Sequence, residues 1–227
     1  QPIAAEEKSV KPNPALAAVP AAALSTSTGP AAVPALPATA PRAIDLFPLI
    51  DIKKNTITGP WQTRSRELYI NAPPNTAARL EIAYRPPEEY DFKVVFTRAS
   101  GNGDVNAALV GGGRQFLWMM NGYGGHLCGF EILKGNRLNS PNNASRVLYP
   151  LENGKRYTLI AKVRKDRVEI WFNEKQLGSL KNGYKDLSVP EWWKFRDEST
   201  LGLGVWSSAV IFHTVEIVPL SGAGILK

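Results

Sequence analysis

From Ile44 onward, hydrophobic and polar residues alternate with a period of two, in short runs separated by turn-forming residues. In the run Tyr90–Arg98, for example, Phe92, Val94 and Phe96 share one face. A helix is predicted only at Pro190–Asp197. The pattern predicts roughly eleven or twelve strands in an all-β, two-sheet antiparallel sandwich and not β-α-β units. The main predicted strands are Arg66–Asn71, Ala78–Tyr84, Tyr90–Arg98, Val105–Val110, Gln115–Asn121, His126–Leu133, Arg156–Arg164, Val168–Asn173, Gln176–Leu180, Leu201–Ser207 and Val210–Val218.

The first 43 residues lack this pattern. Ala and Pro supply 22 of them, and no aromatic residue precedes Phe47. Such a composition buries too little apolar surface to offset chain entropy, so residues 1–43 are predicted to form a disordered or extended tether. An inert terminal remnant, or a strap that orders against partner subunits, are the alternatives. The sandwich is then expected over residues 44–220 and a short tail over 221–227.

Two segments carry a family resemblance. Residues 153–177 contain the alternating run Tyr157–Val163, a polar turn, and the run Val168–Asn173. They resemble the central hairpin of concanavalin A-like, laminin G-like jelly-roll domains, and Leu201–Ser208 is similar to the last part of that fold. The run from Pro86 to Met120 resembles the version common in planctomycete-type bacterial proteins. The resemblance implies a jelly roll but selects no function, because the superfamily includes lectins, carbohydrate-binding modules, glycosidases and adhesion domains.

Tryptophan positions suggest a binding face. Alternation sends Trp171 and Trp206 away from the core, and Gly202 and Gly204 are expected to leave open space beside the Trp206 ring. Sugars bind to such surfaces by stacking on an aromatic ring and by hydrogen bonding to polar side chains. The predicted glycan-binding residues are Asp104, Asn106, Arg114, Trp118, Glu169, Trp171 and Trp206.

A packing interpretation competes with this one. Trp171, Trp206 and the Trp192–Trp193 pair would form a second small core beneath residues 180–200. The protein would then be structural, with its sandwich and tether packed on partner subunits.

An enzymatic interpretation requires paired carboxylates. Glycosidases need two carboxyl groups about 5–10 Å apart. The resemblance implies that the glycosidases of this fold typically place them with a Glu-x-Asp-x-x-Glu strand, and this spacing is missing from the sequence. Glu131, Glu169 and Glu216 fall on separate predicted strands, and Asp104 heads a turn, so a pair would have to assemble between strands. No metal site or cofactor is predicted, although Asp104-Val-Asn106 keeps calcium open as a minor alternative.

The formal charge of +7 is moderate, and the basic run Lys162–Arg167 is interrupted by Asp166 and followed by Glu169. We interpret it as a solvated strand face and expect no nucleic-acid partner. No apolar run is long enough to cross a membrane, so no insertion is expected. The sequence favours a non-catalytic carbohydrate-binding or adhesion module that binds a polysaccharide or glycan. It is expected to be secreted or associated with the cell envelope. The triplet Asn143-Ala-Ser145 matches a glycosylation site, with its role left open.

Overall fold

A computed structural model describes residues 42–124 and 126–227. These residues form twenty strands, the four-residue helix α1 (Ile52–Asn55) and three 3₁₀ turns (Phe47–Leu49, Tyr184–Asp186 and Glu191–Trp193). The strands are β1 (Ile44–Asp45), β2 (Thr56–Thr58), β3 (Gln62–Arg64), β4 (Glu67–Asn71), β5 (Ala77–Ile82), β6 (Tyr84–Arg85), β7 (Tyr90–Gly101), β8 (Val105–Gly111), β9 (Arg114–Gly122), β10 (Leu127–Phe130), β11 (Ile132–Leu133), β12 (Asn136–Arg137), β13 (Val147–Leu148), β14 (Arg156–Val163), β15 (Arg167–Phe172), β16 (Lys175–Lys181), β17 (Leu187–Ser188), β18 (Leu201–Trp206), β19 (Ser208–Pro219) and β20 (Ile225–Leu226).

Two large antiparallel sheets build the sandwich. Sheet I has the strand order β16-β15-β14-β7-β19-β4-β3, with β1 paired to β19. Sheet II has the order β13-β10-β9-β8-β18-β5-β2. Two smaller sheets, β12-β11-β17 and β20-β6, lie outside them. The predicted all-β antiparallel jelly-roll sandwich is confirmed.

The core lies between the inner faces of sheets I and II. On β15, Val168, Ile170 and Phe172 are fully buried, which agrees with the prediction that Trp171 between them points away from the core. On β18, Leu201 and Leu203 are buried in the same way. Alternate residues of these strands turn outward because successive side chains of a strand point to opposite faces.

Sheet II also carries a second apolar cluster, on its outer face. Ala108, Leu117, Met119 and Leu127 supply the strand side of this cluster. The other side comes chiefly from Trp193 and Phe195, which lie in residues 189–200, here called the cap segment. An outer face that would otherwise be in water is therefore partly covered by the chain itself.

The predicted helix at Pro190–Asp197 is wrong. Only Glu191–Trp193 forms a single 3₁₀ turn, and Lys194 has extended dihedrals (φ −60°, ψ 138°). Trp193 and Phe195, two residues apart, both pack on sheet II, and this spacing suits extended backbone and not a helix. Burial of these two rings therefore outweighs the local helix signals.

Except for Arg42 and Ala43, the predicted tether lies outside the described residues, so it stays a prediction, as do the domain boundaries. Within the predicted C-terminal tail, Ile225–Leu226 pair with Tyr84–Arg85. No helix among the described residues has the length and apolar character needed to cross a membrane.

Candidate functional site

A pocket of about 360 Å³ opens beside Trp206 on the outer side of sheet II. We call it the Trp206 pocket. It combines aromatic walls with polar and acidic groups, the mixture typical of ligand sites. Its aromatic side chains are Tyr123, Trp192, Trp193 and Trp206, and its polar ones are Asn75, Asn102, Asp104, Glu131 and Ser207.

The loop before β8 brings Asp104 into this pocket. Buried Arg98 donates to the carbonyl oxygen of Gly103 at 2.9 Å, and Asn121 Nδ2 donates to the carbonyl oxygen of Asn102 at 2.9 Å. Because two carbonyl oxygens of the loop accept these bonds, the loop is held in place, and with it Asp104, which directly precedes β8. The Trp206 backbone N–H donates to the Asp104 carbonyl at 3.0 Å, which ties the two residues together.

Asp104 is a buried carboxyl group without a cationic partner among the described residues. Burial raises its pKa to about 7, a hydrogen bond from Asn106 opposes that rise, and the charge of Glu131 adds to it. Asn106 is itself fully buried and donates through Nδ2 to Asp104 Oδ1. Asn106 therefore positions Asp104.

Glu131 is the second buried carboxyl group of the pocket. It follows β10 and is fully buried, and its Oε1 accepts a hydrogen bond from the Tyr123 hydroxyl at 2.6 Å. Its Oε2 has no hydrogen-bond partner among the described residues. Burial raises the Glu131 pKa to about 7, against the lowering effects of the Tyr123 bond and the charge of Arg137. The pocket thus holds two carboxyl groups that take up protons near neutral pH.

The predicted open space above Gly202 and Gly204 is filled. Trp193 lies against Gly204, and Phe195 lies against Gly202, so closely that a β-carbon at either glycine would overlap the ring. The expectation of an opening at the two glycines is therefore wrong, and the packing interpretation holds for Trp193. The opening lies instead beside Trp206, toward the loop that contains Asp104.

Trp118 and Arg114 occupy other places than the predicted binding face. Trp118 is fully buried in the core, where its ring meets Phe130 edge-on at 5.1 Å between centroids. Arg114 starts β9, about 20 Å along the strand from the pocket end, and donates to the carbonyl oxygen of Leu187 at 3.3 Å. Neither residue lines the Trp206 pocket.

Trp171 and Glu169 lie on the outer face of sheet I and so belong to a different surface. Trp171 lines a separate groove of about 590 Å³, and Lys162 Nζ lies 4.8 Å from its ring centroid. Glu169 accepts from Arg167 Nε at 3.1 Å, and this bond is the main reason that its pKa is lowered. The seven predicted residues therefore do not form one site: Asp104 and Trp206 line the pocket, and Asn106 supports it from below.

Sequence reasoning missed Glu131, Tyr123 and Trp192 as members of the pocket. The alternation Leu127-x-Gly129-x-Glu131 places Glu131 on the outer face, but only strand order brings it near Asp104. Tyr123, 39% exposed, comes from the β9–β10 loop, and Trp192, also 39% exposed, comes from the cap segment. No local pattern links these three positions.

Metal ligands and the basic run Lys162–Arg167 are two further features that the sequence raised. Among residues 42–124 and 126–227, no group of three or more His, Cys, Asp and Glu side chains is placed to hold a metal ion. In the basic run, Arg164 pairs with Asp91 at 2.8 Å, and Arg167 pairs with Asp166 at 3.1 Å. These ion pairs are what a solvated strand face shows.

No family model and no curated protein matches the sequence. Among solved structures, the Crh5 transglycosylase in complex with NAG is 12% identical, with a TM-score of 0.53 over 81% of this chain and 86% of that chain. The carbohydrate binding module CBM66 from Bacillus subtilis is 14% identical, with a TM-score of 0.52 over 72% of this chain and 93% of that one. These likenesses show the fold, a concanavalin A-like sandwich.

Proposed function

We propose that this chain is a non-catalytic carbohydrate-binding module and that it holds a glycan in the Trp206 pocket. The observation that carries the proposal is the pocket itself, in which Trp192 and Trp206 stand beside Asp104, Asn75 and further polar groups. An indole ring offers a stacking surface for the C–H face of a sugar, and the amide and carboxyl groups bind hydroxyls. The fold is shared with a solved carbohydrate binding module, which supports the proposal.

The binding is expected to be weak. The pocket is open to solvent and has a volume of only about 360 Å³. Affinities on the order of micromolar to millimolar follow for such a site, because association and ordering costs offset most of the contact energy.

Affinity electrophoresis against immobilised polysaccharides, together with a glycan array, tests the proposal. Trp206→Ala should lose retention, whereas Trp171→Ala should keep it because Trp171 lies on sheet I. Circular dichroism and thermal unfolding should show that both variants fold. Absence of any retained glycan, or equal retention by wild type and Trp206→Ala, would overturn the proposal.

The pair of buried carboxyl groups favours a glycoside hydrolase as the second candidate function. Asp104 and Glu131 line one pocket, and each has a pKa raised to about 7, so one could donate a proton to a leaving oxygen while the other activates water. Incubation with oligosaccharides and detection of new reducing ends tests this function. Turnover by wild type that Glu131→Gln abolishes would select the hydrolase over the binding module.

The setting of the domain is also part of the proposal. We propose that residues 1–43 tether the sandwich on a secreted or envelope-associated protein. The sandwich would serve there in adhesion, and residues 1–43 would be the part of the chain that contacts partner subunits. We also propose that the sandwich is of the laminin G-like type common in planctomycete-type bacterial proteins, because the run from Pro86 to Met120 resembles that type.

A further inference from the structure

The Trp206 pocket is acidic within a basic chain. The chain carries a formal charge of +7, yet the described residues that line the pocket include Asp104 and Glu131 and no Lys, Arg or His. We propose that this pocket selects glycans with a free amino group, whose ammonium would lie between these two carboxyl groups and the aromatic walls. The proposal rests on the proposed glycan-binding function and names the class of sugar that the same pocket prefers.

The unpartnered oxygen of Glu131 is the first argument. Glu131 is fully buried, Tyr123 satisfies its Oε1, and its Oε2 meets no donor in the described chain. Buried polar atoms are generally paired, so an orphaned acceptor in a pocket wall calls for a donor from outside the chain. An ammonium group has three donors and no acceptor, which suits a wall of acceptors.

The missing counter-charge is the second argument. Several carboxylates elsewhere on the domain pair with cations: Glu81 pairs with Arg196 at 3.3 Å, and Glu216 pairs with Lys93 at 3.2 Å. Asp104, by contrast, accepts a side-chain hydrogen bond only from the neutral amide of Asn106, and Glu131 accepts one only from a phenol, among the described residues. A buried charge is unfavourable unless it is paired, so a ligand cation would compensate what the chain leaves uncompensated.

Arg137 is a cation that acts on Glu131 from outside the pocket. Its guanidinium stacks over the ring of Trp192 at 4.1 Å, and it does not line the pocket. Its field lowers the pKa of Glu131, but burial outweighs it and raises that pKa to about 7. A neutral amine that enters at pH 7 can therefore take the proton of Glu131 and form the ion pair in place, while the rings of Trp192 and Trp206 favour the resulting cation.

The same features disfavour N-acetylated, acidic and neutral sugars relative to sugars with a free amino group. An N-acetyl group removes the charge and adds bulk at the acidic wall. A uronic acid would bring a third carboxylate to Asp104 and Glu131, and such like-charge contacts act against binding. A neutral hydroxyl can donate one hydrogen bond to Glu131 but gains no ion pair.

Isothermal titration calorimetry with three tetrasaccharides of one length tests the selection. At pH 6.5, we expect the glucosamine tetramer to bind at least tenfold more tightly than the N-acetylglucosamine and glucose tetramers. Glu131→Gln should reduce that preference to threefold or less. Glu169→Gln, on sheet I, should leave it unchanged, which excludes a general effect of acidic side chains.

The outcomes separate the two proposals. If the neutral tetramers bind as tightly as the glucosamine tetramer, the amine selection is overturned and glycan binding stands. If no tetramer binds, the amine selection is overturned, and the glycan array and affinity gels decide separately whether glycan binding stands. If 1,5-diaminopentane binds as tightly as the glucosamine tetramer, the pocket recognises an amine without a sugar, and the selection for a sugar is overturned.

Discussion

A β-carbon on Gly204 would lie 2.5 Å from Cζ3 of Trp193, so the indole ring rests directly on the backbone of β18. Phe195 rests on Gly202 in the same way. Two glycines at alternate positions of one strand thus form a flat floor for two rings of the cap segment. The cap segment is further held by Arg196, which donates to the carbonyl oxygen of Lys54 at 2.7 Å.

Gly204→Ala should therefore destabilise the protein. Glycine in a strand interior is usually less favourable than alanine, so the replacement would stabilise an open position. Here the added methyl group pushes Trp193 off the sheet, and we expect a loss of about 1–3 kcal/mol in the free energy of unfolding. Urea unfolding followed by tryptophan fluorescence measures it.

The double variant Gly204→Ala with Trp193→Leu identifies the cause. Leucine at position 193 relieves the clash with the alanine methyl group. The double variant should therefore lose less free energy of unfolding than the two single variants lose together. Strictly additive losses would mean that the ring and the glycine floor are not coupled.

Period-two alternation predicted the inner faces of the strands well, because each strand's own sequence determines which side is apolar. The strand Gln115–Asn121 is apolar on both faces, so alternation could not show which of its residues point inward. In the structure, Trp118 points into the core and Met119 points to the outer cluster. The same pattern put Trp171 and Trp206 on outer faces correctly. Which sheet each belongs to depends on strand order, which is non-local, so their separation on opposite sheets could not be read from the sequence.

Glu131→Gln should stabilise the protein at neutral and alkaline pH. The folded-state pKa of Glu131 is raised to about 7 by burial, above its value in the unfolded chain. Folded protein therefore binds protons more tightly, and stability falls as pH rises from about 4 to 7, then levels off. The variant has no charge to bury, so above pH 8 it should gain on the order of 2–3 kcal/mol in the free energy of unfolding.

Chemical denaturation at several pH values between 4 and 9 checks this pH dependence. The curve of Glu131→Gln should be flatter than that of wild type, with a remaining slope from Asp104, whose pKa is also raised to about 7. Glu169→Gln is the control, since Glu169 is paired with Arg167 on sheet I, and it should change stability by less than about 0.5 kcal/mol. Parallel curves for wild type and Glu131→Gln would contradict the assignment of Glu131 as a buried carboxyl group with a raised pKa.

Asn143 has a structural role in the fold. Its side chain is 1% exposed, its Nδ2 donates to the carbonyl oxygens of Phe130 and Asn136, each at 3.0 Å, and its Oδ1 accepts from Ser145. Asn143→Ala should cost about 1–3 kcal/mol because it leaves these buried groups without partners. Thermal and urea unfolding measure the loss.

Asn142→Ala is the matched control for Asn143, because Asn142 is the exposed neighbour in the same loop. It should change the free energy of unfolding by less than about 0.5 kcal/mol. Asn143→Asp should be at least as harmful as Asn143→Ala, since a carboxylate would face two carbonyl oxygens. An unchanged stability of Asn143→Ala would show that the hydrogen bonds of Asn143 are dispensable.

Arg98→Lys should weaken glycan binding although Arg98 does not line the pocket. The buried guanidinium donates to the Gly103 carbonyl at 2.9 Å and to Asn153 Oδ1 at 2.7 Å, and also reaches the carbonyl oxygen of Leu151. A lysine ammonium cannot satisfy three acceptors in this planar arrangement, so the loop that holds Asp104 should loosen. We expect a loss of about 2 kcal/mol in stability and a several-fold weaker affinity for the retained glycan.

Hydrogen exchange tests whether the loop loosens in Arg98→Lys. Exchange should rise at residues 102–104 before it rises in β14. Arg146→Lys, a substitution at an exposed position, is the control and should change neither exchange nor affinity. Unchanged exchange and affinity in Arg98→Lys would mean that Asp104 is positioned by Asn121 and Asn106 alone.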